Sequence, residues 1–293
     1  MSVSIPARLI NEQWPNVLSM LSGAVISYLP FKRVGALRKR QLPAPSTALV
    51  DAYAAWSGAA PGRYTDTLPP PMVSSQVALG LVARLTAESP YPMLSVLNQG
   101  VHVRLNAAIP RGQPLQLSGR LVDASDDGYR ARVHVQVQVG TAARRDAVII
   151  DSFAAVPLKR RPERDGEPRQ EPAFETVGRW LAAADEGVKF FRLTGDFNPI
   201  HTLPALARRT AFKGCIMHGY GAFSQVFEAL QNAGHAISEV DLRFVKPLPL
   251  PSPPLLIQRA PADGEGWRPF RLCDDAGNVY QVGRFLADGH GAA

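Results

Sequence analysis

The sequence has little cysteine. Cys215 and Cys273 are the only two in 293 residues, too few for a disulfide framework and too far apart for a structural zinc site or a redox pair. Both are expected as small buried residues, in a reducing, cytoplasmic setting. Histidine is sparse as well: His102, His134, His235 and His290 share no ligand spacing, so neither a metal nor any other cofactor is expected. Charged residues make up 19% of the chain and aromatics 8%. The scattered charge excludes disorder over most of the length. No basic stripe is interleaved with aromatics and no zinc-finger spacing occurs, so nucleic acid is not an expected partner. The apolar run Val17–Leu29 is too short to span a bilayer. It follows Glu12 and Trp14 rather than a basic leader, so no integral membrane span is expected and a packed helix is.

What is present is a sequence that can bury a full core, 46% hydrophobic, with a net charge of +7. That surplus favours anionic partners such as phosphorylated cofactors, acidic carrier proteins or anionic lipid. Five basic residues fall between Lys32 and Arg40 in FKRVGALRKR, directly after the apolar run. Apolar helix followed by basic cluster can mean membrane-surface contact; a solvated loop or the rim of a phosphate site is the preferred expectation. The clearest break is KRRPERDGEPRQEP, Lys159 to Pro172, where nothing can pack and a linker is expected.

A weak internal repeat lies on either side of that break. VHVRLNAAIPRGQPLQL starts at Val101 and VDLRFVKPLPLPSPPLL at Val240, an offset of 139 at which Arg104 meets Arg243, Pro110 meets Pro249 and Pro114 meets Pro253. An offset near half the chain points to two copies of one unit. Each copy has a helix candidate, Val73–Thr86 and Ile216–Ala233, followed by extended segments. Arg130–Val139 alternates with period two, as does FRLCDDAGNVYQVGRF, which bends at Asp274–Asn278. The expected class is α+β: in each half one long helix against a mostly antiparallel sheet that buries its apolar face on its own helix.

The segment FRLTGDFNPIH, Phe191 to His201, stands out. VKFFRLT reads as a strand that ends at Gly195; Asp196 and Asn198 can close Asx turns, and Pro199 holds Asn198 away from helical angles. Asp196 and His201 are then two polar groups on a braced loop, candidates for acid/base chemistry. Downstream, CIMHGYGAFSQVFEAL puts His218 and Gly219 at the opening of an apolar helix. There the free N–H groups and the positive dipole end suit an oxyanion.

With these residues in place, the run F-R-L-T-G-D-F-N-P-I-H, followed after five residues by Ala207, resembles the hydratase 2 motif of MaoC-like (R)-specific enoyl-CoA hydratases, and Gly219 falls eighteen residues after His201 as in that family. The resemblance implies a tandem hot dog fold. It would comprise residues 1–158 as an N-terminal extension plus a non-catalytic repeat, 159–172 as a charged linker, and 173–293 as the catalytic repeat. It also implies that Asp196 and His201 activate water, that the Gly219 N–H stabilises the thioester oxyanion, and that Asn198 and His218 play supporting parts. In the N-terminal counterpart, LVDAYAAWSGAAPG, Gly58 is kept but Ala59 stands where the aspartate would be, so that half is expected to be inactive. The implied activity is hydration of a trans-2-enoyl-CoA to the (3R)-hydroxyacyl-CoA, or the reverse dehydration. A 3-hydroxyacyl dehydratase acting on acyl carrier protein and a non-catalytic acyl-thioester binder remain alternatives. Arg208, Arg209 and Lys213 are candidates for a rim that meets CoA phosphates or an acidic carrier protein. A homodimer is compatible with this picture.

Overall fold

A computed structural model of the chain describes residues 3–29, 35–159 and 172–287. The linker expected over Lys159–Pro172 lies almost wholly outside the described residues, as do His290 and the first part of the basic cluster.

Residues that alternate with period two form the strands. In β4 (Arg130–Gly140) the buried positions are Ala131, Val133, Val135, Val137 and Val139, each at most 1% exposed, as a strand with one core-facing side requires. The first half of the chain supplies β1 (Arg38–Leu42), β2 (Leu97–Leu105), β3 (Leu115–Asp126), β4 and β5 (Val148–Pro157). The second supplies β6 (Glu175–Trp180), β7 (Ile237–Phe244), β8 (Leu255–Arg259), β9 (Arg268–Asp274) and β10 (Val279–Ala287). The turn from β9 to β10 closes where Asp274 accepts from the Asn278 N–H at 2.8 Å.

One ten-stranded sheet results, in the order β1-β3-β4-β5-β2-β7-β10-β9-β8-β6. Read inward from either edge, the two halves present the same sequence of strands, so the repeat is real in three dimensions. The junction is β2 against β7, antiparallel, with Val101 opposite Leu242, His102 opposite Asp241 and Val103 opposite Val240. At the repeat offset, residue 102 is the equivalent of 241 and pairs with it. A pseudo-dyad therefore passes through that pair. The antiparallel sheet expected in each half is present, and the two join into one: each half alone would leave β2 or β7 as an exposed edge, and pairing them removes both edges.

The helices occupy one side. α2 (Thr47–Ser57) is capped by the Ser46 hydroxyl and ends at Gly58. α3 (Pro70–Met72) runs through a wide turn, Val73–Val77, into α4 (Leu79–Thr86), so the helix expected over Val73–Thr86 is present but in pieces. In the second half α5 (Glu186–Thr194) precedes two short helices, α6 (Pro199–Thr202) and α7 (Pro204–Ala207), and then α8 (Gly219–Asn232). Two expectations change. VKFFRLT is helical in α5, with Glu186, Gly187, Phe190, Leu193 and Thr194 buried at helical spacing. Ile216 and Met217 precede α8 as extended chain, with Ile216 bridged to Pro249 and the Met217 N–H bonded to the Leu248 carbonyl at 2.8 Å.

At the N-terminus a turn, Ala7–Gln13, leads into α1 (Trp14–Ile26). This helix packs as expected, but largely through its polar and small residues. Asn16, Val17 and Gly23 are buried while Leu18, Leu21 and Val25 face out, and the Ser19 hydroxyl donates to the Gly80 carbonyl at 2.6 Å. No helix among the described residues is long and apolar enough to cross a membrane.

Candidate active site

The loop after α5 is built by local hydrogen bonds. Gly195 takes a left-handed φ of 76° to end the helix, a conformation that glycine adopts without strain. The Thr194 hydroxyl donates to the Phe190 carbonyl at 2.8 Å and accepts from the Asp196 N–H at 3.2 Å. Asn198 caps α6, its Oδ1 accepting from the Ile200 N–H at 3.2 Å and its carbonyl from the His201 N–H at 3.0 Å. Pro199 at the first helical position suits the start of α6.

From outside the loop, α1 holds it in place. The Asn16 amide donates to the Thr194 carbonyl at 2.9 Å and to the Gln76 carbonyl at 2.8 Å. A Cβ at position 195 would lie 2.9 Å from the Gln13 carbonyl oxygen and 3.0 Å from the Asn16 Cβ.

Onto this frame the structure brings Asp196, His201, His218 and Gly219 together. The His201 Nδ1 lies 2.8 Å from the Ile216 carbonyl. A carbonyl only accepts, so Nδ1 carries the proton and Nε2 of the neutral ring keeps its lone pair. The His218 Nε2 lies 3.0 Å from the Asp196 carbonyl and by the same reasoning donates to it. The two imidazoles pack at a tilt of 31°, centroids 3.8 Å apart, and the Phe190 ring lies 4.8 Å from that of His218.

Burial is the first cause of the unusual acidities here. It pushes His201 from its ordinary 6.5 down to about 3, helped by His218 and opposed by the Asp196 carboxylate. It brings His218 down to about 3 as well. The Asp196 carboxyl is raised by burial, with His201 pulling the other way. The pair thus combines an imidazole held neutral with a carboxyl group whose affinity for a proton is raised, the arrangement of perturbed titrating groups that marks a candidate site.

Gly219 opens α8, and its N-cap residue His218 provides no side-chain cap. The first-turn N–H groups and the dipole end are thus directed at the same region. A Cβ at 219 would lie 2.8 Å from the Phe244 ring, so the close packing of β7 on the helix start demands glycine. The Gln281 amide donates to the Gly219 carbonyl at 2.8 Å and helps to orient that peptide. Arg208, Arg209 and Lys213 are exposed between α7 and α8, outside the buried cluster.

Sequence reasoning missed Asn16, Gln13, Phe244 and Gln281. It also missed Tyr220, whose buried phenol is raised to about 12 and lies 3.5 Å from the Ser152 hydroxyl. Only Phe244 carried a signal, since it occupies the repeat position of Leu105. Among the described residues no three His, Cys, Asp or Glu side chains cluster as a metal ion would need. His102 and His134 instead pair with Glu239 at 2.5 Å and Asp151 at 2.7 Å.

The first half has the same scaffold with different residues at the equivalent positions. Gly58 ends α2 with φ 80° as Gly195 ends α5, and Ala59 follows it. The Leu68 N–H bonds to the Ile109 carbonyl at 2.9 Å as Met217 bonds to Leu248, which aligns Pro69–Pro70 with His218–Gly219. Proline has no N–H, so this half lacks both the acid and the backbone donor.

Comparison with known proteins adds the following. Residues 163–252 match the family model for the MaoC like domain. No curated protein matches the sequence significantly. Among solved structures, HtdX of Mycobacterium tuberculosis is similar over 86% of this chain and 100% of its own, at 19% identity and a TM-score of 0.69. A MaoC-like dehydratase from Phytophthora capsici is similar over 88% of this chain and 96% of its own, at 17% identity and a TM-score of 0.66. The full-length peroxisomal multifunctional enzyme type 2 of Drosophila melanogaster matches at 18% identity and a TM-score of 0.67, over 86% of this chain and 48% of its own.

Proposed function

From a chain that carries a MaoC-like domain on a double hot dog fold, we propose that it adds water across the double bond of a trans-2-enoyl thioester to give the (3R)-hydroxyacyl thioester, or removes water in reverse. The observation that carries this reading is the His201 tautomer. Its Nδ1–H is tied to the Ile216 carbonyl, which leaves Nε2 bare in a ring kept neutral by burial, beside Asp196.

In this mechanism Asp196 and His201 hold one water. As its oxygen bonds to C3, its proton passes to the pair and the π electrons move onto the thioester oxygen. The N–H of Gly219 at the start of α8 stabilises that charge, a donor worth about 3 kcal/mol in comparable sites. The pair then returns a proton to C2 as the enolate collapses. One H and one OH are added, and no redox cofactor is needed. Asn198 braces the loop and His218 fixes the Asp196 peptide while packing on His201.

The same reading keeps residues 1–158 as the non-catalytic repeat with its extension, 159–172 as the connection and 173–293 as the catalytic repeat. Within it, the exposed cations Arg208, Arg209 and Lys213 suit the phosphates of CoA or the acidic surface of a carrier protein. Assaying the purified chain with crotonyl-CoA and longer enoyl-CoA substrates tests the proposal through loss of enoyl absorbance. Turnover that His201→Ala and Asp196→Asn abolish, with the fold intact, is expected. No turnover on any CoA or carrier-bound enoyl thioester would overturn it.

A further inference from the structure

Between His201 and Ile216 the chain leaves the candidate site and returns to it. The Ile216 N–H bonds to the Ile200 carbonyl at 3.2 Å, and the Ile216 carbonyl accepts from His201 Nδ1 at 2.8 Å. Both ends of the excursion are thus fixed at the imidazole to which the mechanism above gives the water. Inside it the backbone folds on itself in short turns: the Arg208 N–H bonds to the Pro204 carbonyl at 3.0 Å, that of Arg209 to Leu206 at 3.0 Å and that of Lys213 to Thr210 at 3.2 Å. Residues 203–213 therefore form a compact loop rooted at the site. Ala207 is buried and Thr210 half-buried, and every other residue of the loop is exposed. Such a segment offers a raised surface rather than a cleft.

That surface mixes two kinds of side chain. Leu203, Leu206 and Phe212 are large and apolar, yet 42%, 45% and 38% exposed. Arg208, Arg209 and Lys213 are cations with no ion-pair partner among the described residues. From Phe197 to Phe227 the sequence contains no Asp or Glu that could neutralise them. Arg208 lies close to the root of the loop, since burial raises the Cys215 thiol and the Arg208 charge opposes that rise. Lys213 has a φ of 59° and is the one non-glycine residue at positive φ among the described residues, a conformation that strains any L side chain.

A small ligand is held in a concave site, so a projecting loop is poorly shaped for the nucleotide of CoA. Exposed apolar groups set among unpaired cations match instead the face of another protein, with an apolar centre and a charged rim. The cations require that partner to be acidic. The root of the loop at His201 requires it to bring a thioester. We propose that loop 203–213 docks an acidic acyl carrier protein, so that the substrate is a carrier-bound enoyl or 3-hydroxyacyl thioester. The proposal rests on the hydratase reading above and names its partner.

The test compares the crotonyl thioesters of CoA and of a free-standing acyl carrier protein in steady-state assays of the full chain. KM should be at least about tenfold lower for the carrier form. The double variant Arg209→Glu, Lys213→Glu should raise the carrier KM by at least about tenfold more than the CoA KM, and Leu206→Ser with Phe212→Ser should shift the ratio the same way. Lys213→Gly removes the charge and the strained φ together. It should raise the carrier KM while melting no lower than the wild type, which separates lost docking from lost folding. Equal KM values on the two substrates, or a charge reversal that raises both by the same factor, would overturn the proposal; the second result would give the cations to the CoA phosphates. Absence of turnover on both substrates would remove the hydratase reading alone. Fluorescence anisotropy of dye-labelled carrier protein then decides the docking surface: binding that weakens with salt and is lost in the double variant upholds it, and no binding ends it.

Discussion

Asp196 and the two packed histidines act on stability in opposite senses as pH changes. His201 and His218 fall from 6.5 to about 3 on burial, so between those values the unfolded chain binds more protons than the folded one. Their contribution is whole above pH 6.5 and is lost as pH falls towards 3. The thermal midpoint of the wild type should therefore drop steadily through that window, as melts at a series of pH values would show. Asp196 is shifted the other way, raised by burial from 3.8. Its contribution is present below its ordinary value and disappears as pH rises through the folded one, so at neutral pH the carboxylate weakens the fold. Asp196→Asn should consequently melt no lower than the wild type at pH 7, and higher if the amide is accommodated, while kcat falls by about 10²–10⁴. A calorimetric scan beside the enoyl-CoA assay checks both halves of that expectation. Gly219 carries a steric constraint instead: a methyl group there would stand 2.8 Å from the Phe244 ring. Gly219→Ala should cost about 1–3 kcal/mol of stability by overpacking, read by urea denaturation, with partial recovery in combination with Phe244→Leu.

The loop that carries Asp196 and His201 depends on an element far away in sequence. Asn16 reaches the Thr194 carbonyl across 178 positions, and its second hydrogen bond goes to Gln76. Asn16→Leu would leave two carbonyls without a donor at a site that is 5% exposed. A loss of about 1–3 kcal/mol is expected, together with a fall in kcat that exceeds any rise in KM, because the loop carrying Asp196 loses its brace. Steady-state kinetics and thermal melts on the one variant measure the two effects. This contact also shows which parts of the site can be read from sequence. The turn from Gly195 to Pro199 and the glycine at the start of α8 are local chemistry, with each residue acting on neighbours a few positions away, so their pattern is visible in one line of letters. The partners Asn16, Gln13 and Gln281 meet the site only through the fold and leave no local mark. α5 misled for a different reason. Val188, Phe190 and Phe191 favour a strand by composition, yet Phe190 and Leu193 are the positions that are fully buried, and Lys189 and Glu186 are buried together through a 2.8 Å ion pair. Tertiary packing overrode propensity there. The outward stripe of α1 was legible as an apolar run, but which of its faces meets solvent was not.

Across the whole molecule, the first half cannot be separated from the half that bears the Asp196–His201 loop. β2 and β7 share a ladder through the pseudo-dyad, Trp56 donates to Glu186 at 2.7 Å, and the Tyr53 hydroxyl bonds to both Ser75 and Ser224. The sharpest dependence is at Glu228 on α8, which is fully buried and is held by the Tyr64 hydroxyl at 2.7 Å and by Arg63 at 3.1 Å, both from the first half. Burial raises this carboxyl while Tyr64 and Arg63 lower it, so its charge is tolerated only while the first half supplies both partners. Arg63→Ala should therefore destabilise the chain by about 3 kcal/mol, the low end for a broken buried pair because the arginine is partly exposed. Adding Glu228→Gln to that variant should restore most of the loss, since a neutral amide no longer needs the guanidinium. Urea denaturation of the two single variants and the double variant gives the coupling energy directly. A large coupling would mean that the first repeat serves as the counter-charge and sheet partner without which α8, and the Gly219 N–H at its start, would not be held in place. Near-additive effects would reduce the first half to a cover whose chemistry the second half does not need.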